Sequence, residues 1–273
     1  MQATAPASAH APIPIRQPQL AFDASIPRHW LGGFAPATHL FNGMNLVFPD
    51  GERFFVRAVL DAAGGVGDPR LRERIRGFAG QEGRHAHEHE RYFEVLRAQG
   101  YRIDAFLRRF ARFCALTRRL PGPLRLAMTA GAEHYTAVFG AYALDDPLLR
   151  GSHPVMERLV VWHATEEIEH KAVAFDVLRA THPGYALRML GFLLATLALF
   201  GWSLAGARML LRQDRLPRSL RRAQGRELRR IDAGRLSRAL GAGIRRYLRP
   251  SFHPAETDEL DRAHARLAEL GIG

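Results

Sequence analysis

Glu82-Gly-Arg-His85 has the form Glu-x-x-His, and the same form recurs at Glu167-Ile-Glu-His170. Positions i and i+3 of an α-helix lie within about 60° of each other, so the carboxylate and imidazole of each pair can reach one metal. A further glutamate precedes each pair by one helix length. Glu52 lies 30 residues before Glu82, and Glu133 lies 34 residues before Glu167. Those separations suit helical hairpins that return a side chain to the same level.

This order of residues predicts a metal site inside a helical bundle. Two single glutamates and two Glu-x-x-His pairs form the ligand set of di-iron and di-manganese carboxylate proteins. The sequence therefore predicts an all-α fold, a ferritin-like four-helix bundle with additional C-terminal helices. Ordinary i,i+3 contacts on surface helices are the alternative. Glu133 argues against it, because residues 126–144 are otherwise nearly uncharged and an unpaired carboxylate is costly to bury there.

Further histidines extend the predicted ligand set on both paired helices. His163 precedes Glu167 by four residues and shares a helix face with His170, so this helix can deliver three ligands. His89 follows His85 by four residues and mirrors that arrangement on the other helix. A supporting or solvated role for His89 is an equal alternative, because the surrounding stretch is rich in histidine and glutamate.

The predicted metal ligands are Glu52, Glu82, His85, His89, Glu133, His163, Glu167 and His170. Glu166 can substitute for its neighbour in the second motif or support it. His87 points away from the other ligands and is expected to be exposed. No catalytic acid or base is assigned outside the metal ligands, although His134 and Tyr135 are candidates for contact with them.

Four segments resemble the bacterial family catalogued as predicted metal-dependent hydrolases: Phe48-Pro-Asp-Gly-Glu52, Gln81-Glu-Gly-Arg-His85, Glu133-His134 and the stretch from Trp162 to Phe175. The resemblance covers roughly residues 30–215 and implies a ferritin-like fold and hydrolysis. The element from His163 to His170 is also similar to the di-iron arylamine N-oxygenases, whose extra histidine ligand corresponds to His163. That second resemblance implies oxygen activation.

The ligand types predict the cofactor and the chemistry. Carboxylates and imidazoles suit iron or manganese, with zinc as an alternative, so we expect two metal ions, iron first. We predict an oxygen-activating oxidoreductase, an oxygenase or oxidase, that acts on a small or lipophilic organic substrate and needs an electron donor. A di-metal hydrolase is the alternative. A non-catalytic metal-binding protein is the third hypothesis.

The composition of successive segments suggests how the chain is divided. A chain of 273 residues with 47% hydrophobic content can bury a large core, and the lone Cys114 excludes a disulfide framework. The first 20 residues lack the pattern of a secretory signal. The predicted divisions are a disordered arm over residues 1–30, a di-metal bundle over 31–183, a long apolar helix over 184–213 and arginine-rich helices over 214–273.

Three helix starts are marked by caps and prolines. Asp50 is predicted to cap the helix that carries Glu52, and Asp68-Pro69 to start the next one, which ends near Gln99-Gly100. Ser152-His-Pro154 is predicted to start the helix of the second pair, which continues to His182.

The C-terminal third combines an apolar helix with a basic segment. Residues 189–207 carry no charge, and at ~1.5 Å per residue they reach about the ~30 Å of a bilayer core. Residues 208–249 then carry 14 arginines against three acidic residues, nearly all of the net charge of +12. A single span from a cytoplasmic bundle would export this segment, against the positive-inside tendency.

We therefore expect the apolar helix to be buried in the protein, to form a homodimer interface or to lie on an anionic membrane surface. A solvated arginine face is the alternative. Nucleic acid is disfavoured as a partner because no binding motif or interleaved aromatic residues accompany the arginines. The expected location is the cytoplasm, peripheral to or anchored in the inner membrane.

Overall fold

The computed structural model describes residues 13–232 and 234–272, and every regular element in these ranges is helical. The predicted all-α fold is therefore confirmed. The helices are α1 (Ala35–Asn45), α2 (Phe48–Ala62), α3 (Pro69–Ala98), α4 (Asp104–Thr117), α5 (Gly122–Ala143), α6 (Pro147–Arg150), α7 (Pro154–His170), α8 (Val173–Thr181), α9 (Tyr185–Gln213), α10 (Arg218–Asp232), α11 (Arg235–Tyr247) and α12 (Leu260–Glu269).

Four of these helices surround the predicted metal ligands. α2 packs on α3 and α5, and α7 packs on α5 and α3, so the four helices close into a ring. Buried apolar side chains stabilise the ring in two clusters, one that includes Trp162 and one that includes Phe78. α11 packs on α5 and α12 packs on α7, so the C-terminal helices cover the same bundle.

The starts of α2 and α3 test the cap predictions. The Asp68 carboxylate accepts a hydrogen bond from the Arg70 backbone nitrogen at 2.9 Å, with Pro69 in the first turn, as predicted. The same helix ends before Gly100, which has a φ of +88°. The prediction for Asp50 is wrong, because α2 begins two residues earlier and places Asp50 inside its first turn. A carboxylate there still interacts favourably with the helix dipole.

The helix of the second Glu-x-x-His pair is shorter than predicted. It ends at His170, and α8 begins at Val173 instead of continuing the same helix to His182. Neither glycine nor proline marks this break. The Lys171 ammonium group donates to the Thr257 carbonyl at 2.6 Å and lies 2.7 Å from a Glu259 oxygen. The residue after His170 therefore contacts a distant part of the chain, and the local sequence gives no sign of that contact.

The N-terminal segment is also more ordered than predicted. Residues 13–30 form no helix, but Leu20 and Ile26 are buried and Arg16 binds the Glu169 carboxylate through two nitrogens, at 2.9 and 2.7 Å. The expected disordered arm is therefore wrong for these residues. Residues 1–12, the rest of that predicted arm, lie outside the described residues.

α9 is the predicted apolar helix, and two of its sides are packed. It lies against α1 and α5 at glycines that permit close backbone approach. A Cβ atom on Gly191 would lie 2.4 Å from the Ala127 carbonyl carbon, and one on Gly43 would lie 2.2 Å from the Ser203 carbonyl oxygen. Among the described helices, α9 alone is long and apolar enough to cross a membrane. Packing on two sides makes it part of the protein core as well.

Candidate metal centre

The structure brings seven of the eight predicted ligands together in two groups of four that share Glu167. The first group is Glu52, His85, His163 and Glu167, and the second is Glu82, Glu133, Glu167 and His170. Within each group, one nitrogen or oxygen atom per residue lies within 4.8 Å of the others, and every member is buried. Each group could hold one metal ion, with Glu167 between them.

The helix positions explain most of this grouping. α2 and α5 provide one glutamate each, and α7 provides His163, Glu167 and His170 from one face, as their spacing predicted. One detail differs from the prediction. Glu82 and His85 of α3 fall in different groups, so this pair does not face a single metal position. About one helical turn separates the two residues along the helix axis. That distance is enough for each residue to face a different one of the two metal positions.

His170 is oriented by a glutamine. Its Nδ1 atom lies 2.9 Å from the side-chain oxygen of Gln81, which can only accept a hydrogen bond. The proton therefore sits on Nδ1 when the ring is neutral, and Nε2 faces the second group. Nε2 lies 3.1 Å from a Glu82 oxygen and 3.3 Å from Glu133. Its distance from Glu167 is also 3.3 Å.

His85 is oriented in a similar way by Glu166. The Nε2 atom of His85 lies 3.0 Å from a Glu166 oxygen, while its buried Nδ1 has no hydrogen-bond partner among the described residues. That Nδ1 atom lies 3.8 Å from a Glu167 oxygen. Of the two roles considered for Glu166, the geometry therefore fits support, since Glu166 contacts a ligand and lies outside both groups.

The third histidine of the site contacts a fourth. His163 Nε2 lies 2.8 Å from one Glu167 oxygen and 3.7 Å from Glu52, whereas its Nδ1 lies 2.7 Å from His89 Nε2. His89 itself belongs to neither group. The structure therefore does not bring His89 to a ligand position and instead fits the supporting alternative.

Three of the four carboxylates among the ligands lack the hydrogen-bond partners that a buried charge needs. Both oxygens of Glu52, Glu82 and Glu133 are buried and accept no hydrogen bond within the described ranges. Burial and repulsion from Glu133 raise the pKa of Glu82 to about 8, and burial raises the pKa of Glu133 to about 7. Burial and repulsion from Glu82 raise the pKa of Glu52 well above its usual value. Divalent cations would offset the free-energy cost of burying these three carboxylates in their ionised form. The residues therefore fit a pair of metal ions.

Glu167 and His170 form the ion pair of the metal-free site. Burial alone would raise the pKa of Glu167, but His170 and His163 hold it well below its usual value. Burial would likewise lower the pKa of His170, yet Glu167 and Glu133 raise it well above its usual value. A protonated His170 thus supplies positive charge in the absence of metal.

Thr136 and Gln81 were missed by sequence reasoning. The Thr136 hydroxyl donates to a Glu167 oxygen, and its distance from the Glu133 carbonyl is 3.1 Å. Thr136 follows Glu133 by three residues, so the spacing that identified the histidines could also have identified it. Gln81 has no such signal, because its contact with His170 joins two helices.

Three other predictions concern the neighbours of the motifs. His87 is exposed, as predicted. The prediction for His134 and Tyr135 is wrong, because both face away from the ligands. His134 Nε2 donates to the Gly243 carbonyl at 3.0 Å, and the Tyr135 hydroxyl lies 3.0 Å from Thr196.

A third group of potential ligands lies elsewhere and is explained by hydrogen bonds. His29 and His39 approach the same Asp214 oxygen at 2.8 and 2.6 Å. The Asn42 amide oxygen accepts from Trp30, which turns the Asn42 amide nitrogen towards His39 Nδ1. His39 Nδ1 therefore accepts, and its protonated Nε2 donates to Asp214. That tautomer offers no lone pair to a metal at this position.

An apolar cavity of about 270 Å³ reaches the first group of ligands. His89, His163 and Glu167 line it at the metal centre, and Phe139, Leu199 and Phe200 are among its apolar walls. Cavities with mostly apolar walls and a few polar groups commonly bind small organic molecules. The geometry therefore joins a candidate metal centre to a candidate substrate site.

This combination defines a helical protein with a buried metal-binding centre. The chain belongs to the family described as predicted metal-dependent hydrolase, whose model matches residues 14–258. The match confirms the first resemblance found in the sequence and includes helices α1 to α11. Searches of curated proteins and of solved structures gave no match. The family description supports metal dependence, and it favours hydrolysis over the oxygen activation that we predicted first.

Proposed function

We propose that this protein is a two-metal hydrolase that acts on a small lipophilic molecule bearing a hydrogen-bonding group. The observation that carries the proposal is that Glu167 belongs to both ligand groups and also lines the apolar cavity. When bound, two divalent ions would supply Lewis acidity and a water of lowered pKa. The family description supports this reaction class.

The residues around the ligands would fix their orientation. Gln81 would hold His170, Glu166 would hold His85 and Thr136 would hold Glu167, each through one hydrogen bond. Such contacts set the tautomer of an imidazole ligand and the direction of a carboxylate. They would keep the donor atoms in place while substrate enters.

His89 would connect the centre to the cavity. When His163 Nε2 faces a metal, its Nδ1 carries the proton and donates to His89 Nε2 at 2.7 Å. His89 then carries its own proton on Nδ1, a buried atom without a hydrogen-bond partner in the described structure. Because His89 lines the cavity, this N–H group would donate a hydrogen bond to an oxygen of the substrate.

Two polar atoms in the cavity wall would recognise the substrate. The Asn45 amide nitrogen and the Ser203 hydroxyl are buried and have no partner in the part of the chain that the structure describes. Both residues line the cavity. A carbonyl oxygen placed between them would satisfy both donors, and the apolar walls would hold the rest of the molecule.

Oxygen-dependent oxidation is the second candidate function. The observation in its favour is the ligand set itself, which contains only carboxylates and imidazoles and includes a third histidine, His163. Such sets suit iron and manganese. This function would require dioxygen and an external electron donor, and its substrate would enter the same cavity.

The two candidates differ in their need for oxygen. Metal-depleted protein should be reconstituted with Zn, Mn or Fe without oxygen and assayed with short- and medium-chain p-nitrophenyl esters. We expect metal-dependent ester cleavage in the absence of oxygen, lost in Glu167→Ala and kept in His87→Ala. Absence of cleavage with any metal, together with an oxygen-dependent optical band in the iron form, would overturn hydrolysis in favour of oxidation.

A further inference from the structure

α9 exposes a stripe of leucines that the described helices leave open to solvent. Leu190, Leu193, Leu197 and Leu204 are 47%, 55%, 65% and 54% exposed. Their spacings of three, four and seven residues place them along one helix face. Gly201, between them, is exposed as well. A continuous line of large apolar side chains in water marks an interaction surface.

Arginines continue this stripe at its C-terminal end. Arg208 and Arg212 follow Leu204 by four and eight residues, so they lie on the same face, and both are exposed. α10 adds a second set, and none of its residues is buried. The arginines of α10 that form no ion pair with any described residue are Arg218, Arg221, Arg222, Arg226 and Arg229.

The cavity shares one residue with the leucine stripe and lies close to the end of α10. Leu204 is part of the exposed stripe and also lines the cavity. On the other side, the cavity-lining Tyr142 donates a hydrogen bond to Asp232, the last residue of α10, at 2.8 Å. The cavity wall therefore includes both a leucine of the exposed stripe and the ligands His163 and Glu167.

We propose that the leucine stripe of α9 and the arginines of α9 and α10 dock the protein on an anionic lipid bilayer. The leucines enter the acyl region, and the guanidinium groups bind headgroup phosphates. α9 lies on the bilayer without crossing it, because α1 and α5 occupy two of its sides. The cavity then takes its lipophilic substrate from the bilayer, a step that rests on the proposed function, whereas docking does not.

Charge favours a bilayer over a second copy of this chain. In a symmetric dimer with parallel α9 helices, two sets of unpaired arginines would approach each other, and like charges across an interface are unfavourable. In an antiparallel dimer the arginines would lie at opposite ends and gain no anionic partner from the apolar stripe. An anionic bilayer has a hydrocarbon region that can accept the leucines and a headgroup region whose phosphates can bind the arginines. The arrangement of the two residue types is therefore complementary to a lipid surface.

Vesicle flotation tests the docking. We expect the intact protein to bind vesicles of phosphatidylcholine with about 30% phosphatidylglycerol at least tenfold more tightly than phosphatidylcholine alone, and less tightly in high salt. Leu193→Ser with Leu197→Ser, and Arg222→Glu with Arg226→Glu, should each weaken binding at least tenfold. The matched controls are Leu60→Ser on α2 and Arg70→Glu with Arg76→Glu on α3, exposed positions outside the stripe.

The outcomes separate the alternatives. Unchanged binding of the controls supports docking through this surface. Equal weakening in the controls, or no preference for anionic vesicles, contradicts it. A leucine variant that changes the molar mass in light scattering without changing vesicle binding would assign the stripe to a second copy. Metal content is measured on every variant, so failure of docking remains distinguishable from failure of the metal centre.

Discussion

The side-chain oxygen of Gln81 accepts a hydrogen bond from Nδ1 of His170 at 2.9 Å, which turns the other ring nitrogen towards Glu167. Gln81→Leu removes that acceptor, so we expect metal affinity to fall about 10–100-fold, as is usual when the hydrogen-bond partner of a ligand is lost. Metal titration against a competing chelator measures the change. Gln99→Leu, just beyond the end of the same helix, should leave affinity unchanged, and equal affinity in both variants would contradict the assigned role.

The sharing of Glu167 predicts unequal losses among the ligands. Glu133→Ala should lose one of two bound ions, because Glu133 belongs only to the second group. Glu167→Ala should lose or severely weaken both, and the exposed His87→Ala should lose neither. Elemental analysis after reconstitution and desalting gives the number of ions per chain. Identical metal content in the three variants would rule out this centre.

His89 and His163 should behave differently although they touch. His163 Nε2 lies within the first group, so His163→Phe should release the metal of that group. His89→Phe replaces a residue outside both groups and should keep two ions per chain. A loss of metal in His89→Phe equal to that in His163→Phe would show that His89 is itself a ligand.

Above about pH 7, where unfolded histidines are neutral, the metal-free protein should lose stability as pH rises. Burial and repulsion from Glu133 raise the pKa of Glu82 to about 8, so the folded chain keeps a proton that an unfolded glutamate releases near 4. That contribution to the free energy of unfolding is complete below the unfolded pKa and is lost as pH rises through about 8.

Thermal unfolding between about pH 7 and pH 8 tests this linkage, and we expect Tm of the metal-free protein to fall across that range. At lower pH the effect is opposed by His85, His89 and His134, because burial lowers the pKa of each. Glu82→Gln should flatten the curve, whereas the exposed Glu94→Gln should not. Bound metal should also flatten it, since the ligands then stay ionised. A Tm that rises with pH across the same range in the metal-free protein would contradict the pKa assigned to Glu82.

The packing of α9 on α5 predicts opposite effects for two glycines of one helix. Gly191→Ala would place a Cβ atom 2.4 Å from Ala127 and should lower the free energy of unfolding by about 1–3 kcal/mol. Gly201→Ala meets no described atom within 4 Å and should raise it by up to about 1 kcal/mol. Chemical denaturation measures both. Equal stability of Gly191→Ala and the parent would show that α9 does not pack as described.

The sequence predicted features that depend on helical spacing alone. Glu167, His170 and His163 share one face of α7 because residues three and four apart must do so. It could not predict features that depend on contacts between elements. At the break after His170 a lysine contacts the C-terminal segment, and residues 13–30 contact the bundle through side chains such as Arg16.

The grouping of Glu82 with Glu133 shows the same limit. Spacing places Glu82 and His85 on one face of α3, but the opposing helices decide which metal position each residue faces. Gln81 illustrates it again, because its neighbour in space, His170, is 89 residues away in sequence. Both contacts join different helices, so the spacing of residues within one helix does not indicate them.

The shared metal centre is tested by the metal content of anaerobically reconstituted protein, compared with that of Glu167→Ala. We predict two ions per chain for the parent and fewer than one for the variant, because one carboxylate belongs to both groups. Two ions in both proteins would contradict the sharing of Glu167. No stoichiometric metal in the parent would contradict the metal centre itself.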